Sequence, residues 1–135
     1  MTNNNQSGFS FTELLLDPAQ LEQSTATIGL VSMDGLINSA IGIHPYAVAE
    51  TTKLTEQLQQ VVLEAAGDYE SPAEWYVTTL TNILVEAAKK ADDKPLRVRL
   101  SGADSHYRRT LPGSELEAME VNPLIGLRGV SRFAD

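Results

Sequence analysis

The stretch Ala-Thr-Ile-Gly-Leu-Val-Ser-Met at 26–33 constrains the fold more than any other part of the chain. It is apolar almost throughout, contains β-branched residues and does not alternate with polar ones. A strand of that kind is buried on both faces, and such strands belong to parallel sheets packed with helices. The next segment, 34–50, contains Gly35, Gly42 and Pro45, which preclude one long regular helix.

Two amphipathic helices follow. Over 51–67, Leu54, Leu58, Val61, Val62 and Ala65 make one apolar stripe, ending at Gly67 as a C-terminal cap. Over 71–91, Ser71 and Glu74 form a capping box with Pro72 at the first helical position. The apolar face there is Trp75, Val77, Leu80, Ile83, Leu84 and Ala87, where core packing accounts for Trp75 and Tyr76. Lys89 and Lys90 suit the negative end of the helix dipole. A second strand, 95–101, sets Leu96, Val98 and Leu100 against Arg97 and Arg99, and a third is expected in 124–133. Residues 11–23 read as a short helix interrupted at Pro18. The expected core is Ile28, Leu30, Val98, Leu100, Leu124, Ile125 and Leu127 beneath the two helices. Residues 1–10 read as a flexible lead and 11–135 as one α/β domain.

Charge narrows the function. The 135 residues carry a formal net charge of −8, which argues against non-specific nucleic-acid binding. There is no Cys, so thiol catalysis, disulfides and Cys-ligated metals are excluded. The start lacks the basic and apolar regions of a signal peptide, and no apolar run reaches the length of a membrane span; a cytoplasmic location is expected. No Lys or Arg precedes Lys53, whereas Lys94, Arg97, Arg99, Arg108, Arg109, Arg128 and Arg132 crowd the last third. That crowding is read either as solvated arginines or as a local site for a small anion. The stretch 122–133, NPLIGLRGVSRF, holds Arg128 between Gly126 and Gly129. Those glycines let the backbone bend closely around a ligand. His44, in IGIHP, is expected to make a structural hydrogen bond and His106 to be solvated. Asp92-Asp93 reads as a solvated turn. Glu115, Glu117 and Glu120 read as an acidic loop rather than a metal site.

The order IGLVSMDGLINSAIGIHPYAVAE, GDYESPAEWYVTTL, LRVRLS and NPLIGLRGVSRFAD resembles the phosphoenolpyruvate-binding C-terminal barrel of the phosphoenolpyruvate synthase family. Pyruvate phosphate dikinase and phosphotransferase-system enzyme I are more distant in the same respect. The resemblance covers about residues 28 to 133 and implies the early part of a (β/α)8 barrel, whose active sites lie at the C-terminal strand ends. It implies that Arg99, Ser101, Arg128 and Arg132, with Gly126 and Gly129, form a cradle for the phosphate and carboxylate of phosphoenolpyruvate. Arginine suits that work because its planar fork donates in pairs to an oxyanion.

The departures matter as much. Where the family reads GLARxEF, this chain has Gly29-Leu30-Val31-Ser32-Met33-Asp34-Gly35, so Ser32 occupies the place of a ligand-binding arginine. Such a loss costs on the order of 2–3 kcal/mol of anion affinity. The family block DFKSNEY is reduced to GADSHY, with Gly102 at its acidic position. The family's later strands, with their magnesium ligands and catalytic cysteine, are not expected in this stretch.

Three roles are consistent with this pattern. One is a truncated, non-catalytic subunit that regulates or scaffolds an assembly through open sheet edges, by self-association or with a protein partner. Another is the phosphoenolpyruvate-binding piece of a split pyruvate,water dikinase, in which magnesium would enter only with a completing partner. The third is a phosphoenolpyruvate sensor. No other cofactor is expected.

Overall fold

The computed structural model describes residues 12–102 and 109–119. Its centre is a three-stranded parallel sheet in the order β1 (Thr12–Leu15), β2 (Thr27–Ser32), β3 (Arg97–Arg99). β2 is the strand expected from 26–33, though it is not buried on both faces throughout, since Leu30 is exposed, and β3 falls within the expected second strand. The third expected strand, in 124–133, lies outside the described residues.

The helix expected over 11–23 is not formed as such: its first half is β1, and only Gln20–Gln23 make a single turn, α1. Pairing with β2 gives this short segment main-chain partners and seats Leu15 in the core. Gln20 then turns the chain out of the sheet. Its Oε1 accepts from the amides of Leu16 (2.8 Å) and Asp17 (3.0 Å), while its Nε2 donates to the Leu14 carbonyl (3.2 Å).

After β2 the chain enters α2 (Met33–Leu36), which runs into a π-helical turn at Ile37–Ile41 and stops at Gly42, whose φ of 68° lies in the left-handed region. Then come α3 (Pro45–Ala49), a 3₁₀ turn at Thr51–Lys53, α4 (Glu56–Ala66) and α5 (Pro72–Lys90). The helix expected over 51–67 thus begins later, behind Thr55 as its N-cap. Ser71 caps α5 as expected, its hydroxyl accepting from the Glu74 amide at 3.1 Å. The Glu74 carboxylate reaches back one residue further than a capping box requires, to the Glu70 amide at 2.9 Å.

The core lies on one side of the sheet. Leu15, Ile28 and Val31 from the strands meet Leu36, Ile37, Ile41, Ile43, Ala47, Val48, Leu54, Val62, Leu80 and Ala87. Trp75 and Tyr76 are partly buried against it, as their place on the amphipathic face implied. Val61 and Val77, expected on the apolar stripes, are instead exposed, and Ala66 rather than Ala65 is buried.

Exposure along the strands corrects the expected core. Only Ile28 of its described members is buried; Leu30, Val98 and Leu100 are exposed. A register slip is the cause for Leu30. Glu13 pairs with Ile28 and Leu14 with Leu30, which leaves Gly29 without a partner. This bulge puts Ile28 and Val31, three residues apart, on the covered side, and turns Leu30 away. A Cβ on Gly29 would lie 2.3 Å from Thr12 Oγ1, so the close approach of β1 requires glycine there. Val98 and Leu100 belong to the edge at β3 and its continuation. Leu124, Ile125 and Leu127 lie outside the described residues. The fold is therefore α/β with three parallel strands and covering helices, an open sheet and not a closed barrel among the described residues. None of its helices there is long and apolar enough to cross a membrane.

Candidate functional site

Parallel strands end together, and here the shared C-terminal edge collects the polar chemistry. The register sets Ser32, the last residue of β2, opposite Arg99, the last of β3. Arg99 Nη2 donates to Ser32 Oγ at 2.9 Å. The same oxygen accepts from the Gly35 amide at 3.3 Å and so caps α2. Ser32 is 1% exposed, whereas Arg99 is open to solvent.

Asp34 lies beside this pair and is also buried. Its Oδ1 accepts from Ser101 Oγ at 2.5 Å and its Oδ2 from the Gly102 amide at 3.0 Å. One carboxylate thereby fixes the turn that follows β3, across 67 residues of sequence, and holds β3 in place behind Arg99. Sequence reasoning missed Asp34. Its signal was an acidic residue two positions past a buried strand, inside the block that carries the family resemblance.

Arg99 ends β3 and Ser101 follows it by two residues, so both stand at the C-terminal end of the sheet. Ser101 is committed to Asp34 rather than presented freely. Arg128, Arg132, Gly126 and Gly129 lie outside the described residues, as do Arg108, His106 and Glu120. Arg97 also stands on β3, paired in register with Leu30 and exposed.

A second polar cluster supports the frame. His44, 1% exposed, caps α3: its Nδ1 accepts from the Tyr46 amide at 3.1 Å. That leaves Nε2 to carry the hydrogen toward Glu117 Oε2, 2.9 Å away. The His44 amide donates to the Pro112 carbonyl at 3.0 Å. The expected structural hydrogen bond of His44 is present, and the acidic loop supplies its partner. Gly113, with φ of 87°, lets that loop pass where a Cβ would meet Ala47 Cβ at 2.2 Å. Among the described residues no group of three or more His, Asp or Glu is placed to hold a metal ion. Asp92 and Asp93 are an exposed turn with positive φ.

Comparison with known proteins gives a consistent relative. The chain is 35% identical over 107 residues to the phosphoenolpyruvate synthase of Escherichia coli, a match covering 78% of this chain and 14% of that protein. It is 33% identical to the phosphoenolpyruvate synthase of Neisseria meningitidis and 32% to that of Deinococcus radiodurans, with the same coverage. The chain therefore spans about one-seventh of the length of the curated relatives it matches. No family model matches it.

Proposed function

We propose that this homologue of one segment of phosphoenolpyruvate synthases is a non-catalytic accessory subunit that regulates or scaffolds a larger assembly and binds a small phospho-anion at Arg99. The observation that supports it is the state of Arg99. At the C-terminal edge of a parallel sheet, its guanidinium spends one hydrogen bond on a neutral serine and forms no ion pair with a carboxylate among the described residues. An arginine fork with donors to spare at that edge suits an oxyanion. Ser32, where the family motif has arginine, favours binding without turnover. The uncovered sheet face, with Leu14 and Leu30 exposed, suits a protein partner or a second copy. Cytoplasmic residence fits this reading.

Titration with phosphoenolpyruvate, followed by amide NMR, tests it. Saturable shifts centred on 30–35 and 97–102 are expected, with Arg99→Ala weakening binding roughly tenfold or more. Unchanged affinity in that variant defeats the assignment. Light scattering across a concentration series reports self-association.

The retained Arg99 also favours a second reading, the phosphoenolpyruvate-binding piece of a split pyruvate,water dikinase. There a partner chain would complete the site and magnesium would be needed. Dikinase activity on mixing with a fragment that supplies the rest of the enzyme would establish it, and no activity in such a mixture would remove it.

A further inference from the structure

We infer that Ser32 is itself a ligand-binding residue, and that Ser32 and Arg99 act as one unit that takes an oxyanion between them. The inference rests on the reading of Arg99 as an anion site. Its own ground is the hydrogen-bond accounting at Ser32.

A serine hydroxyl has two lone pairs and one hydrogen. Both lone pairs of Ser32 are filled, one by Gly35 N–H and one by Arg99 Nη2–H. The oxygen therefore cannot usefully receive anything more. Its hydrogen finds no acceptor among the described residues, although the side chain is 1% exposed. A buried donor left unspent costs free energy comparable to the loss of a hydrogen bond, so such groups are normally matched. The missing partner has to be an acceptor reached from the strand ends, on the side where Arg99 meets solvent.

Arg99 states the charge of that acceptor. One of its N–H groups is used on Ser32 and the others have no acceptor among the described residues. The carboxylate nearest in the network, Asp34, is engaged by Ser101 and Gly102. A group offering at least two oxygens and a negative charge satisfies both residues: one oxygen on the guanidinium, another on the Ser32 hydroxyl. Phosphoryl and carboxylate groups share that chemistry. Because Arg99 donates into the same oxygen, it polarises the Ser32 O–H and makes it a stronger donor. The serine is thus a neutral second arm and not a vacancy left by an arginine.

The test compares wild type with Ser32→Ala and with Ser32→Cys, which nearly keeps the shape but is a poor donor. The probes are phosphoenolpyruvate, inorganic phosphate and pyruvate, each titrated by calorimetry, with amide NMR confirming that residues outside 30–35 and 97–102 are unperturbed. If Ser32→Ala fails to fold, Ser32→Cys alone carries the comparison. Loss of roughly tenfold or more in affinity for any probe that binds wild type is expected. A loss confined to the phosphorus-bearing probes assigns the hydroxyl to a phosphoryl oxygen; a loss that extends to pyruvate assigns it to a carboxylate. Affinities within twofold of wild type in the folded variants overturn the inference while leaving the anion site at Arg99 standing. Failure of every probe to bind wild type overturns both.

Discussion

His44 shows how much one side chain can decide. It caps α3 through Nδ1, faces Glu117 through Nε2, and its amide holds the Pro112 carbonyl. The first two bonds belong to a side chain that is 1% exposed, so its substitution removes partners that water cannot replace, while the amide bond to Pro112 stays. His44→Ala is expected to destabilise the protein by about 2–4 kcal/mol, the sum of a cavity and lost polar contacts. Glu117→Gln, which still offers an oxygen to Nε2, is expected to cost less, about 1 kcal/mol. Urea unfolding of the two variants measures both, and equal costs would contradict the donor assignment. The identity of His44 as a structural residue was legible in IGIHP, because a histidine before a proline at a helix start has a backbone amide to receive. Its partner was not, since 73 residues separate it from Glu117.

At the scale of elements, α5 is the part most completely written in local sequence. Ser71, Pro72 and Glu74 fix its start, and Lys89 and Lys90 lie in its last turn. Ser71→Ala is expected to cost about 1 kcal/mol, read as a lower thermal midpoint, because the Glu74 amide loses its acceptor. A variant as stable as wild type would mean that packing of Leu80 and Ala87 alone holds the helix. β1 shows the opposite. TELLL has no strong preference of its own, and it becomes a strand because β2 offers an edge and the core offers Leu15 a place. The short helix expected over 11–23 gives way to β1 in its first half, while the break expected at Pro18 falls in the turn that Gln20 closes.

For the molecule as a whole, the decisive asymmetry is between the two faces of the sheet. One is packed by the helices and the other carries Leu14 and Leu30 exposed. Substitutions across it separate the two. Leu15→Ala, in the packed core, is expected to cost about 2–5 kcal/mol, and Leu30→Ala, a little over a third exposed, under about 1 kcal/mol in the monomer. Denaturant midpoints at low protein concentration check this. A large cost at Leu30 that grows with concentration would indicate that the face is covered by a second copy.

The sequence by itself determined the parallel α/β class, the strand at 26–33, both long helices with the cap of α5, the likeness to one segment of phosphoenolpyruvate synthases, and Arg99 on a strand. These follow from periodicity, capping chemistry and local motif order, all of which act over a few residues. Only the tertiary structure decided which strand faces are buried, because a bulge at Gly29 resets the alternation and no pattern in the flanking residues announces it. It also decided that Asp34 reaches Ser101 and Gly102, and that Ser32 receives Arg99. Those contacts join residues 67 apart, and the chain is brought to them by the register of a sheet rather than by any preference of the residues themselves.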